Sequence, residues 1–240
     1  MDFRNSYADD AYAAAYAKLE FPGTYYLAFR DLPAILSRHV AGRKALDFGC
    51  GSGRSTRFLG KLGFDAVGID ITEKMIRNAQ AIDPTGDYRL VADGDLGQFA
   101  DGTFDLVMSA FTFDNVPTAV QKVRLFRELA RVRKAGGRIV NLVSAPEIYW
   151  NEWVSFTTKD FPENRLAKCG DQVRIIVTAL EDKRPVVDVI WPDDGYRDVY
   201  EKSGLEVIEV CKPLGRADEP YEWVNEATIA PWIIYVLGKA

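Results

Sequence analysis

A short apolar run that empties into three alternating glycines constrains this 240-residue chain more than any other feature. Residues 45–48 read as a strand, Gly49, Gly51 and Gly53 as a turn, and residues 54–62 as a helix ending at Gly63. Without a Cβ, glycine lets the backbone turn sharply and approach a ligand closely. The first turn of the following helix then presents unpaired N–H groups to a polar or anionic group. The alternation continues down the chain. Strands are expected at 66–69, 88–92, 104–109 and 138–143. Helices are expected at 73–81, with Thr72 as N-cap, and at 118–133, with Gly136 and Gly137 turning the chain into the strand at 138. Strands this apolar leave no wetted face, so a parallel sheet covered by helices on both sides is predicted.

The flanking segments read differently. Residues 7–19 and 24–40 are expected to be helical, broken by Phe21, Pro22 and Gly23, and Pro33 kinks or restarts the second. Residues 146–171 carry aromatics and acids without clear periodicity. The β-rich runs 173–179 and 186–191 suggest a hairpin inserted on the main sheet. A helix near 195–202, a strand at 206–211 and an apolar run at 232–237 suggest an antiparallel ending.

Composition narrows the class. A formal charge of −5 and no basic cluster longer than three residues argue against a nucleic-acid partner. No apolar run approaches the roughly 18 residues of a spanning helix, which argues against a membrane partner. The acid- and tyrosine-bearing N-terminus does not read as a signal peptide. Cys50, Cys169 and Cys211 are odd in number and far apart. That predicts neither a disulfide framework nor a metal knuckle, and a reducing, cytoplasmic setting.

The glycine spacing separates nucleotide-binding folds. A dinucleotide fingerprint needs a third glycine where Arg54 or Thr56 stands, and no G-K-[ST] follows for a phosphate loop. What stands is D-x-G-x-G-x-G, from Asp47 to Gly53. At this point the chain resembles the class I S-adenosylmethionine (SAM)-dependent methyltransferases, in particular small-molecule, type 11-like members. The resemblance covers about residues 44–143 and runs more loosely to 240. It rests also on Asp70 ending the second strand, on Asp93 after the third, on the Phe104–Ser109 stretch, and on residues 131–140. It implies a Rossmann-like α/β fold: a seven-stranded, mostly parallel sheet with an antiparallel last strand, helices on both faces, and an inserted antiparallel hairpin cap.

The resemblance also implies roles. Asp47, Phe48, Gly49, Gly51 and Gly53 form the cofactor turn, and Asp70 accepts both ribose hydroxyls in charge-assisted bonds. Ile71 and Met75 lie along the nucleoside. Asp93 accepts from the adenine amino group beside Gly94, with Asp95 as a competing acid. Ala110 and Phe111 border the methionine portion. Arg30 pairs with the methionine carboxylate, or else forms a surface ion pair with Asp31. Tyr7, Tyr12 and Tyr16 form a lid or simply pack an N-terminal helix. His39, the only histidine, precedes the first strand and suits surface or capping duty.

Methyl transfer from a sulfonium is one in-line displacement, so most acceleration comes from alignment in a dry pocket. Acceptor-binding residues are expected where the sheet's strands end and in the cap. Asp114 or Glu147 is expected to accept a proton or orient the nucleophile, with Tyr149 beside them. Trp223, Asn225 and Glu226 also approach from the C-terminal side. Aromatics mixed with carboxylates suit an amine-bearing acceptor. The expected whole is one domain: a helical lid (1–43), a SAM-binding core (44–145), a cap (146–192) and closing elements (193–240). The expected function is methyl transfer to nitrogen or oxygen of a small metabolite, without a metal, by a monomer or homodimer. A nicotinamide-dependent reductase and a non-catalytic SAM-binding module are the alternatives.

Overall fold

The structure is a computed structural model and describes residues 20–239. The helix expected at 7–19, with Tyr7, Tyr12 and Tyr16, lies outside the described residues. Two helices come first, α1 (Thr24–Arg30) and α2 (Leu32–His39), divided at Asp31, with Pro33 in the first turn of α2. Proline is tolerated there because its missing N–H would have no helical partner.

The main sheet then builds from β1 (Lys44–Phe48), β2 (Asp65–Asp70), β3 (Asp87–Leu90), β4 (Phe104–Ala110) and β5 (Arg133–Ser144). The helices α3 (Arg54–Lys61), α4 (Glu73–Ile82) and α5 (Ala119–Val132) connect them. After the cap come α6 (Asp193–Lys202), β9 (Leu205–Cys211) and β10 (Trp232–Lys239). The seven strands run in the order β3-β2-β1-β4-β5-β10-β9, and β10 lies antiparallel to both its neighbours. This is the seven-stranded architecture expected from the sequence.

Alternation within the strands divides the core. Ala45, Leu106, Met108, Val140 and Ile234 face α1, α2 and the cap. Leu46, Phe48, Val107, Ile139 and Tyr235 face α5 and α6, against Leu125, Phe126, Leu129 and Tyr200. With both faces covered, the strands have no polar side to offer solvent, which is why they read as continuous apolar runs.

Two sequence expectations need correction. Gly136 and Gly137 do not turn the chain; they lie inside β5, which already begins at Arg133. Gly136 takes φ +81°, the β4–β5 register shifts between Phe104 and Leu106, and a Cβ on Gly137 would lie 2.8 Å from the Asp105 carbonyl oxygen. The pair is a bulge that keeps two backbones in close contact. The hairpin also does not join the main sheet. Strands β7 (Gln172–Val177) and β8 (Val186–Val189) pair with the short β6 (Phe156–Thr157) as a separate antiparallel sheet. Its inner side chains Val173, Ile175 and Val177 share the core that α1 and α2 cover.

One buried acid ties the cap to the rest. Glu226 accepts from Thr24 Oγ1 (2.7 Å) and from the Val154, Val224 and Asn225 amides (2.8–3.1 Å). It therefore serves the chain's internal fastening rather than the pocket the sequence suggested. No helix among the described residues is long and apolar enough to cross a membrane.

Candidate active site

The strand order reverses between β1 and β4, and open parallel sheets bind ligands in the crevice at such a reversal. Three segments converge there: the glycine turn after β1, the end of β2, and the chain leaving β4. They line an open cleft.

The glycine turn is held from behind. Asp47 is fully buried, and its Oδ2 accepts the hydroxyls of Ser55 and Thr56, each at 2.6 Å. Burial pushes its carboxyl up to about 6, and the two hydroxyls pull the other way. Asp47 thus braces the first turn of α3 and does not line the cleft, a correction to its expected role as a contact residue. Gly53 is a second correction. It caps α3 in the left-handed region, and a Cβ there would meet the Tyr88 ring at 2.7 Å. Its lack of a side chain serves helix entry and packing.

Gly51 is different. Its φ is +53°, and an added Cβ would meet no atom of the described residues within 4 Å. The space beyond it belongs to the cleft, so a ligand can approach the backbone there. Its N–H donates to Asp70 Oδ2 (2.9 Å), while Asp70 Oδ1 accepts from the Thr72 amide (2.8 Å). Burial raises the Asp70 carboxyl above its ordinary value, and these two amides oppose the shift. Each carboxylate oxygen can accept more than one hydrogen bond, so Asp70 can still take a ligand's hydroxyl donors beside these amides.

The other cleft walls are mostly apolar. Phe48, Gly49, Ile71, Met75, Asp93, Gly94, Ala110 and Phe111 all line it. Ile71 is 55% exposed, a large apolar side chain uncovered at the cleft's edge. Asp93 also lies on the rim, paired with Arg124 at 2.9 Å. Phe111 has φ +65°, the single described non-glycine residue in the left-handed region. Strain of that kind concentrates at ligand sites, where packing over-determines the backbone. Here the Phe111 amide is fixed to the Leu142 carbonyl (2.8 Å) and its ring lies 4.7 Å from that of Trp232.

Arg30 is not in the cleft. Its guanidinium pairs with Asp31 (2.8 Å) and Glu219 (2.5 Å) and donates to the Leu214 carbonyl (2.9 Å). The one cation among the described lining residues is Arg54, whose guanidinium sits 4.9 Å from the Tyr25 ring centre. Sequence reasoning missed it, although its position directly after the last glycine was a signal.

A second, smaller cavity of about 390 Å³ shares Phe111 and Asn115 with the first. Asp114 and Tyr149 line it. Asp114 accepts from the Ser144 amide (3.1 and 3.3 Å), and burial raises its carboxyl. Tyr149 donates its hydroxyl to Asp188 (3.1 Å), and burial beside that acid holds the phenol protonated. Glu147 is exposed on the turn Pro146–Tyr149 and lines neither cavity, which removes it from the expected constellation. Asp188 on β8 was missed.

Comparisons with known proteins agree with this geometry. Residues 46–141 match the family model described as a methyltransferase domain. A ubiquinone biosynthesis O-methyltransferase of Methylococcus capsulatus is 36% identical over 104 residues, which cover 42% of this chain and 43% of that protein. The chloroplastic tocopherol O-methyltransferase of Arabidopsis thaliana is 34% identical over 105 residues, covering 41% and 29%. The matches thus span less than half the length of these curated relatives. A crystal structure of a SAM-dependent methyltransferase from Clostridium acetobutylicum superposes with a TM-score of 0.65 at 12% identity, covering 96% of this chain and 98% of that one. That likeness extends the shared fold to the cap and the closing strands.

Proposed function

We infer that this chain, whose residues 46–141 match the methyltransferase-domain family model, binds SAM and transfers its methyl group to a small-molecule acceptor. The observation that carries the reading is the open backbone at Gly51 beside the carboxylate of Asp70, at the reversal point of the sheet. A diol-bearing sugar fits a carboxylate that retains acceptor positions. Ile71, Met75, Val91 and Leu125 offer apolar contact to a purine, with Asp93 at the rim for its amino group. Arg54 offers a charge to the amino-acid end. When bound, SAM supplies a methyl group on an electron-poor sulfur.

The chain's own work is alignment and exclusion of water. Phe111 and Asn115, common to both cavities, mark where the donor and acceptor sides meet. The second cavity opens from that junction and is walled mostly by apolar side chains, so an acceptor inside it is held dry and in one orientation. The acceptor is a small molecule with a nitrogen or oxygen nucleophile, and the active species is a monomer or homodimer working in the cytoplasm.

Calorimetric titration with SAM and with NADPH tests the reading. SAM is expected to bind and NADPH to leave no heat. Labelled SAM with a panel of metabolite acceptors then separates methyl transfer from binding alone.

A further inference from the structure

The second cavity carries more acid than the described residues that line it neutralise. Asp114 and Asp188 both line it, and no described lysine, arginine or histidine does. Asp114 has nearby compensation: the Ser144 amide donates to it, and the charge of buried Lys122 acts on it. Lys122 itself donates to the Phe113 carbonyl and lies over the Trp191 ring at 4.7 Å, outside the cavity wall. Among the described residues, Asp188 has the Tyr149 hydroxyl as its one side-chain hydrogen-bond partner. Its residue is 8% exposed and sits on β8 between Val187 and Val189, in a strand otherwise made of valine. A buried carboxyl with one neutral donor is held as an anion only at a cost, which it escapes by taking up a proton or by meeting a ligand's positive charge.

The rest of the cavity indicates what that ligand is. Trp232 anchors an aromatic wall, with Phe111, Phe156 and Tyr25 centred 4.7, 5.7 and 5.9 Å from it. Aromatic faces attract cations, most strongly where water is excluded. At the mouth, Asn115 donates from Nδ2 to the Phe111 carbonyl (3.5 Å), and its buried Oδ1 has no partner among the described residues. That oxygen accepts; it calls for a donor hydrogen on the ligand. A protonated amine supplies a cation for the rings, a counter-charge for Asp188 and N–H donors for Asn115. An alcohol supplies no charge, and a carboxylate adds a third acid.

We propose that the second cavity binds the methyl acceptor as an amine, with Asp188 as its counter-charge and proton acceptor. This rests on the methyl-transfer reading above. In water, moving a proton from an alkylammonium to a carboxylate is uphill by about six pK units. Burial lowers the ammonium and raises the carboxyl, so the same dry cavity that binds the pair narrows that gap. For Asp188, burial and the neighbouring charge of Asp114 both act upward. The proton passes from nitrogen to Asp188, and the freed lone pair forms the N–C bond to the donor methyl. The C–S bond breaks with its electron pair staying on sulfur, so the balance closes as methylated ammonium, neutral thioether and protonated Asp188.

The test uses the full chain saturated with S-adenosylhomocysteine. Phenethylamine, N-methylphenethylamine, phenethyl alcohol and phenylacetate are titrated in calorimetrically. The amines are expected to bind at least tenfold more tightly than the alcohol, with no heat from phenylacetate. Asp188→Asn is expected to remove the preference for amines while S-adenosylhomocysteine affinity stays within twofold, which also reports that the variant is folded. Equal affinity for alcohol and amines, no binding of either amine, or an amine preference that survives in a variant that still binds S-adenosylhomocysteine overturns the proposal. Should Asp188→Asn fail to fold, the wild-type comparison of amine with alcohol decides alone. If the wild type does not bind S-adenosylhomocysteine, the methyl-transfer reading itself has failed, a result distinct from the loss of amine selectivity.

Discussion

The Gly51 amide donates to Asp70 Oδ2 over 2.9 Å, tying the glycine turn to the end of the neighbouring strand. The Thr72 amide holds the other oxygen at 2.8 Å, so the carboxylate is oriented by two backbone donors before any ligand arrives. Pre-set acceptors of this kind bind without a further ordering cost. Asp70→Asn keeps the size and removes the charge. Hydrogen bonds to charged groups contribute about 1.5–3 kcal/mol, so SAM affinity is expected to fall roughly 10- to 150-fold in a calorimetric titration.

Gly51 and Gly53 separate binding from folding. Gly51→Ala places a methyl group in open cleft at φ +53°, where left-handed strain costs roughly 1–2 kcal/mol. Its melting temperature is expected to drop by only about 2–8 °C while SAM affinity falls more than tenfold. Gly53→Ala adds a clash with the Tyr88 ring at 2.7 Å to its own strain. The larger loss of melting temperature and the smaller specific loss of affinity belong to Gly53→Ala.

The two arginines make a similar contrast. Arg30 is consumed by Asp31 and Glu219, so Arg30→Ala is expected to lower thermal stability and leave SAM affinity within about threefold. Arg54→Ala removes the cation that lines the cleft and is expected to weaken SAM binding by about tenfold, near the 1.4 kcal/mol of a modest charge contact. The reverse pattern in calorimetry would return the carboxylate contact to Arg30.

The arginines also show where sequence reading stops. The glycine turn, Asp70, Ile71 and Asp93 were legible because each sits at a strand end whose position the local pattern fixes. For Arg30 the alternative of a pair with adjacent Asp31 was legible, but the second partner, Glu219, lies 189 residues away and nothing local announces it. Glu147 and Asp188 form the same lesson in pairs. Both are acids in the cap, but a turn exposes one and a valine-rich strand buries the other. The signal for Asp188 was present, since a lone acid in an apolar strand asks for a buried partner. What the sequence withheld was that the hairpin forms its own sheet, which brings β8 against Asp114.

Asp47 predicts a pH effect. Its carboxyl titrates near 6 in the folded chain, above its ordinary value, so the native state binds the proton more tightly than the unfolded one. Its contribution is full below about pH 4, declines as pH rises, and is gone above about 6. Carboxylates with lowered values, such as Asp31 and Asp105, act in the opposite sense, so the difference between proteins is the informative quantity. Urea unfolding of wild type and Asp47→Asn from pH 4 to pH 7 is expected to show that the variant gains stability relative to wild type as pH rises. A constant difference across that range would contradict the assignment.

The most direct measurement is a crystal structure of the full chain with S-adenosylhomocysteine. The account predicts the ribose hydroxyls on Asp70, the chain of the amino acid along residues 49–52, and the sulfur at the Phe111–Asn115 junction between the two cavities. A thioether bound with its sugar away from Asp70, or its sulfur turned from that junction, would contradict it.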